Sequence, residues 1–242
     1  MMLKELIARK KVTLKYLQSV TGALAFCCKA IPVGRAFLRR LYTSMIGVNK
    51  SYHFVRVSNG IREEALIWLD FLENFNGRYS FPEPNWSSND TLQLFTDSSN
   101  SAGGAYFQGE WSYIKWPKSW SEDILREMSF LELIPIVLAF SIWSTKLANK
   151  KVLLHTDNEA LVPIINNKTS KSDKIMTLLR HLMFIIIERN IQIKAVHIPG
   201  AENKIADAIS RLQWDRFRKE APLANPCPVN VPTKILTLLS QW

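Results

Sequence analysis

From residue 91 to residue 212 the hydrophobic pattern changes period in a fixed order, and that order constrains the fold more than any other property of the chain. Residues 91–96 read as a short strand, 102–108 and 111–116 as a hairpin turned at Gly109, and 127–146 as a long apolar helix. Residues 152–155 then read as a buried strand bounded by charges, 158–165 and 172–188 as helices, 191–197 as an alternating strand and 203–212 as a last helix. Three strands, a helix, a strand, helices, a strand and a helix form an α/β order, in which a mixed sheet is covered by helices on its faces.

Two of these strands run into an aspartate. Asp97 follows Leu92-Gln93-Leu94-Phe95-Thr96, and Asp157 follows Val152-Leu153-Leu154-His155-Thr156. Each Thr-Asp step is expected where a strand leaves the sheet, which is where open α/β sheets place their sites. A carboxylate in such apolar company is costly unless something neutralises it. Glu132 sits in Phe130-Leu131-Glu132-Leu133-Ile134 and Asp207 in Ala206-Asp207-Ala208-Ile209, so both are acids embedded among core-facing residues. Any one of the four could be a cap, a turn former or a helix-face acid; together they call for a common cation. Hard oxygen ligands in this number suit Mg²⁺, and two such ions about 3.5–4 Å apart can activate a water and stabilise the leaving oxygen at phosphorus. Asp97, Glu132, Asp157 and Asp207 are therefore the expected metal ligands of a phosphodiesterase.

Positive charge is concentrated elsewhere. The chain has 242 residues and a formal net charge of +10, and residues 1–60 contain eleven Lys or Arg against a single acid, Glu5. Everything after residue 60 is balanced, with twenty of each sign. A basic segment of this kind favours a polyanion through counterion release. Helical spacing predicts helices over 13–28 with Thr13 as N-cap, over 35–46 after a break at Pro32 and Gly34, and over 61–75 capped by Ser58 or Asn59. The second displays Arg35, Arg39 and Arg40, which with Lys10 and Lys11 are the expected nucleic-acid contacts. The expected organisation is a small basic all-helical region (1–76), a linker (77–90), the α/β domain (91–213) and an extended tail (214–242) carrying Pro222, Pro226, Pro228 and Pro232. Trp111, Tyr113, Trp116 and Trp120 are expected to pack in the core or hairpin rather than stack on nucleic acid.

No apolar run reaches the roughly 20 residues of a membrane span, and residues 1–12 lack the apolar core of a secretory signal. Three cysteines, two of them adjacent, give neither a disulfide framework nor a metal spacing, so a cytosolic or nuclear protein is expected.

Thr96-Asp97-Ser98-Ser99, Leu131-Glu132-Leu133, His155-Thr156-Asp157-Asn158 and the segment from His197-Ile198-Pro199-Gly200 through Ala206-Asp207-Ala208-Ile209-Ser210-Arg211 resemble the four acidic blocks of ribonuclease H. The last block is similar to the retrotransposon version. Leu17-Gln18-Ser19-Val20-Thr21-Gly22 and residues 32–41 resemble the thumb or connection region that precedes ribonuclease H in reverse transcriptases of DIRS-type retrotransposons. The resemblance implies a five-stranded mixed sheet, two Mg²⁺ or Mn²⁺ ions, and cleavage of the RNA strand of RNA/DNA hybrids. It also implies that His197 assists proton transfer or product release, and that Ser98 and Asn158 lie near the nucleic acid. No Asp-Asp dipeptide occurs, so the polymerase metal turn is missing and a separate polymerase part is an expected partner. Two features depart from the family. Glu159 stands where cellular members often carry a Gln, and Pro135 follows Glu132 by three residues, where a kink would move Glu132 off the metals. The competing expectation is a catalytically idle nucleic-acid-binding or interaction module that keeps the fold. Transposases and proofreading exonucleases fit less well, because Ser99 stands where the exonucleases place a Glu and Asp207 where integrases do.

Overall fold

In a computed structural model of the chain, residues 2–74 and 85–242 are described, and they fall into two units, Met1–Ser80 and Phe81–Trp242. Residues 75–84, which include the end of the expected third helix and residues 77–84 of the expected linker, lie outside the described residues.

The first unit consists of α1 (Met2–Ala8), β1 (Lys11–Thr13), α2 (Leu14–Cys27), a 3-10 segment (Pro32–Phe37), α3 (Arg39–Ser44), β2 (Phe54–Arg56) and α4 (Asn59–Asn74). Thr13 caps α2, its hydroxyl accepting from the Tyr16 amide at 3.3 Å, and Ser58 does the same for α4 through the Ile61 amide at 3.3 Å. Trp68 of α4 is fully buried and its indole donates to the Phe37 carbonyl at 3.1 Å, which ties α4 to the 3-10 segment. The region is not the all-helical one that the sequence suggests. β1 and β2 pair antiparallel with Val12 opposite Val55, and three-residue strands are too short to leave a readable period.

The second unit opens with a single helical turn, α5 (Asn89–Leu92), where the sequence suggests a strand. It continues with β3 (Leu94–Ser98), β4 (Ala102–Phe107), β5 (Glu110–Lys115), α6 (Glu122–Leu125), α7 (Met128–Trp143), β6 (Lys151–Thr156), α8 (Leu161–Asn167), α9 (Asp173–Glu188), β7 (Gln192–His197), a 3-10 turn (Gly200–Glu202), α10 (Lys204–Ser210), α11 (Trp214–Glu220) and α12 (Thr233–Leu239). The class is mixed α/β, compatible with a ribonuclease H-like fold. Hydrogen bonding divides the five strands into an antiparallel sheet, β3-β4-β5, and a parallel pair, β6-β7, with β3 lying beside β6. The expected continuous ladder is interrupted because Ser87 occupies β6's backbone groups: its amide donates to Lys151 O at 2.7 Å and its carbonyl accepts from Leu153 N at 2.9 Å.

Helix α7 is apolar on every side and correspondingly buried between the sheet and α9. The opposite face of β3-β4-β5 is covered by α10 and α11 around Tyr106, Trp111, Ile209 and Phe217. Strand β4 can lie between two helices because Gly103 and Gly104 carry no side chains. A Cβ at Gly103 would meet Pro135 of α7 at 3.3 Å, and one at Gly104 would meet the Ser210 amide of α10 at 2.8 Å. Pro135 therefore sits inside α7 against a strand that makes room for it, and the helix continues unbroken to Trp143.

Residues 214–242 are not the extended tail expected from their prolines. Phe217 of α11 is fully buried, and the Trp120 indole reaches the Leu239 carbonyl of α12 at 3.4 Å. Between these helices the chain runs along the outer edge of β5, where Asn225 N donates to Gly109 O at 2.8 Å and Val229 N to Trp111 O at 2.7 Å. Prolines alternate with these donating residues, which is how an edge strand tolerates them. Trp111, Trp116 and Trp120 are buried as expected, with Trp116 stacked on Trp120 at 5.7 Å. Among the described residues no helix is long and apolar enough to cross a membrane.

Candidate metal centre

Three acids from three elements converge at the junction of β3 and β6. Asp97 stands within β3, opposite Gly104, rather than past its end; Asp157 directly follows β6; Glu132 comes from the second turn of α7. One carboxylate oxygen from each lies within 4.8 Å of the others. Asp97 and Glu132 are 5% and 6% exposed, and Asp157 is half-buried. The kink expected at Pro135 does not remove Glu132, since the helix begins at Met128 and its first turns are fixed against β3 and β4.

Alternation along β3 determines what holds each acid. Asp97 points to the α10 face, where the Ser210 hydroxyl donates to its Oδ2 at 2.6 Å. Ser98 points to the α7 face and donates to Glu132 Oε1 at 2.8 Å. Ser98, expected near nucleic acid, is thus buried and positions Glu132. The Ser99 hydroxyl donates to the Ser210 carbonyl at 2.7 Å, and buried Asn203 donates to Thr96 O at 2.8 Å, so α10 is fastened to both sides of Asp97. Gly200 lies close to Asp157, where a Cβ would come within 3.0 Å of Oδ2.

Burial dominates the electrostatics of the cluster. It pushes Asp97 up to about 7, against the Ser210 hydrogen bond and with the help of the charges on Asp157 and Asp207. It pushes Glu132 up to about 8, with Asp97 as the next contributor and the Ser98 hydrogen bond opposing. Carboxylates held this way suit a hard divalent cation, which would displace the protons that burial favours and supply the missing positive charge. Asp97, Glu132 and Asp157 could hold a metal ion.

Asp207 is arranged differently. Its Oδ1 accepts from Arg211 Nε at 2.6 Å and its Oδ2 from Arg216 Nη1 at 2.5 Å, and it lies outside the three-acid cluster. Partial burial would raise its pKa, but the hydrogen bonds from the two arginines outweigh burial and hold it below the usual carboxylate range. His197 ends β7 opposite Thr156 and is exposed. Asn158 uses its side-chain oxygen to accept from Ala160 N at 3.0 Å and Leu161 N at 3.2 Å, shaping the turn into α8. In the first unit Lys10, Lys11 and Arg35 are exposed, Arg39 is half-buried, and Arg40 pairs with Glu63 at 2.6 Å. Sequence reading assigned no role to Ser210, Asn203 or Arg216. Ser210 and Asn203 carried a usable signal, being polar residues inside the same block as Asp207.

Comparison with known proteins adds a partial match. The family model described as Reverse transcriptase-like, a ribonuclease H-like family, matches residues 142–213, under a third of the chain. That segment carries Asp157, His197 and Asp207, while Asp97 and Glu132 fall outside it. No curated protein matches the chain. From the last turn of α7 to the end of α10, the protein is similar to ribonuclease H-like proteins.

Proposed function

We propose that the protein is a metal-dependent endonuclease that hydrolyses the RNA strand of RNA/DNA hybrids, as the ribonuclease H part of a reverse transcriptase of the DIRS retrotransposon type. The observation that carries this reading is the convergence of Asp97, Glu132 and Asp157 within 4.8 Å, two of them buried. These residues would hold Mg²⁺ or Mn²⁺, and in a two-ion site Asp207 would be the outer, least metal-dependent ligand, because Arg211 and Arg216 already neutralise it. Bound divalent ions supply an activated water and offset charge developing at phosphorus. Ser210 and Ser98 orient two of the ligands, so the site is assembled before substrate arrives. His197, beside Thr156 at the strand ends, is exposed where it can exchange a proton with a leaving oxygen. A hybrid would be recognised by A-like shape and 2′-hydroxyl contacts, with the basic N-terminal unit adding sequence-independent affinity. Three free cysteines suit a reducing, cytosolic or nuclear location.

The test is cleavage of an end-labelled hybrid with Mg²⁺ or Mn²⁺, compared with Asp157→Asn. Metal-dependent RNA cleavage that the variant lacks is expected; no cleavage with either metal would sink the reading. A second reading, a module that binds nucleic acid without cutting it, is favoured by the pairing of Asp207 with Arg211 and Arg216. It predicts retained hybrid binding with no metal-dependent product.

A further inference from the structure

The β1–β2 ribbon has two unlike faces. Val12 and Val55 point inward, as do Leu14 and Val57 beyond the strand ends, and all four are buried. Outward point the pairs Lys11–Arg56 and Thr13–Phe54. Backbone bonds from Val57 N to Lys10 O (2.9 Å), Leu14 N to His53 O (2.8 Å) and Lys15 N to Ser51 O (2.9 Å) extend the paired segment at both ends. On this surface Phe54 is 59% and Tyr52 64% exposed. Rings of that size left in water on a short, well-anchored ribbon are unusual. Each has a cation beside it, with Lys11 Nζ 4.6 Å from the Phe54 centroid and Lys50 Nζ 5.9 Å from that of Tyr52. Lys10, Lys15 and Arg56 are exposed on the same segments, and residues 10–16 and 49–57 contain no Asp or Glu.

We propose that this ribbon binds a single nucleic-acid strand, stacking unpaired bases on Phe54 and Tyr52 while Lys10, Lys11, Lys15, Lys50 and Arg56 neutralise its phosphates. Charge complementarity selects a polyanion, since a face with no acid offers an ordinary protein partner few matched pairs. The rings select a strand over a duplex, because paired bases have their faces already stacked and only unpaired ones can lie on an aromatic side chain. A lipid surface is less suited, since residues 49–57 expose no Leu, Ile or Met on this ribbon. The inference goes beyond cleavage and stands whether or not the carboxylates cut.

The experiment measures fluorescence anisotropy of a labelled oligo(dT) of roughly 12 nucleotides with the full chain in EDTA, where no cleavage occurs. Exchanging both rings (Tyr52→Ala with Phe54→Ala) should weaken binding about tenfold or more at unchanged salt slope. The leucine pair (Tyr52→Leu with Phe54→Leu) should weaken it comparably, separating stacking from apolar contact, with circular dichroism confirming the fold of each variant. Replacing Lys11 and Arg56 by Ala should reduce the slope of log affinity against log salt by about 1.4. A hybrid duplex of the same length should be little affected by the ring variants. Unchanged oligo(dT) affinity in the ring variants would overturn the proposal, as would equal losses for strand and duplex. Loss confined to vesicles containing phosphatidylserine would also overturn it, in favour of a membrane surface.

Discussion

The carboxylates at the β3–β6 junction and the carboxylate on α10 belong to one acidic group in sequence, yet the structure neutralises them by opposite means. Asp97 and Glu132 are buried, are bonded to hydroxyls, and sit high on the pH scale. Asp207 is held by two guanidinium groups and sits low. An acid whose counter-charge is built into the chain needs no ion. Acids stabilised only by hydroxyls and by holding a proton remain available to one. The difference therefore orders the four acids by how strongly each depends on a metal.

The largest effect that could break this ordering is on cleavage. Asp157→Asn should reduce hybrid cleavage by about a thousandfold, the scale of losing a group that acts on transition-state charge, whereas Asp207→Asn should lose less than about tenfold. A larger loss for Asp207→Asn would mean that the arginine pairing dissolves when metal and substrate bind.

The next effect is on stability against pH, and the two regions should differ in sign. The folded chain holds protons on Asp97 and Glu132 that the unfolded chain releases, so their contribution to metal-free stability should fall as pH rises from about 4 to about 8. For Asp97 alone this is on the order of 4 kcal/mol, measurable by urea unfolding in EDTA at the two ends of the range. Mg²⁺ or Mn²⁺ at pH 8 should restore it, and Asp97→Asn with Glu132→Gln should flatten the profile. The lowered pKa of Asp207 works the other way: its stabilisation is present above the ordinary carboxylate pKa and is lost as pH falls below it. A double variant whose pH profile matches that of the parent chain would refute the assignment of bound protons to Asp97 and Glu132.

Smaller effects sharpen the comparison. Gly104→Ala drives a methyl group into the Ser210 amide and should cost about 2 kcal/mol of unfolding free energy. It should also weaken metal binding by calorimetry, because α10 carries the hydroxyl on Asp97. Asp207→Asn should cost only about 1 kcal/mol in urea unfolding, since Arg211 and Arg216 are half-exposed and can be rehydrated.

Much of the α/β unit was legible because its signals are local. Strand and helix periods between residues 94 and 210 follow from burial on one or both faces, and the acids stand out against apolar neighbours. The pairing of Asp207 with Arg211 was accessible in principle, as an i, i+4 step on a helix. Arg216 was not, because it reaches Asp207 only after the chain turns from α10 into α11. The β1–β2 ribbon was hidden for a similar reason: its register joins residues 11–13 to 54–56, and strands of three residues carry no period. Residues 214–242 misled because prolines mark an absence of helix and sheet donors without saying whether the segment is packed. Trp214 and Phe217, aromatics in a polar stretch, and the i, i+4 pair Ile235 and Leu239 hinted that it is.

The chain that runs along the outer side of β5 also protects the protein from itself. An antiparallel sheet ending in a bare strand offers its free amides and carbonyls to any similar strand, and Trp111 and Tyr113 would make such an edge adhesive. Here the Asn225 and Val229 amides take the carbonyls of Gly109 and Trp111, the Ser112 hydroxyl donates to Val229 O at 2.8 Å, and the Trp111 indole donates to Asn225 O at 2.7 Å. A chain ended at residue 213, where the family match stops, would retain every acid of the centre and yet uncover a self-complementary edge. Its solubility, rather than its chemistry, would be the first property lost.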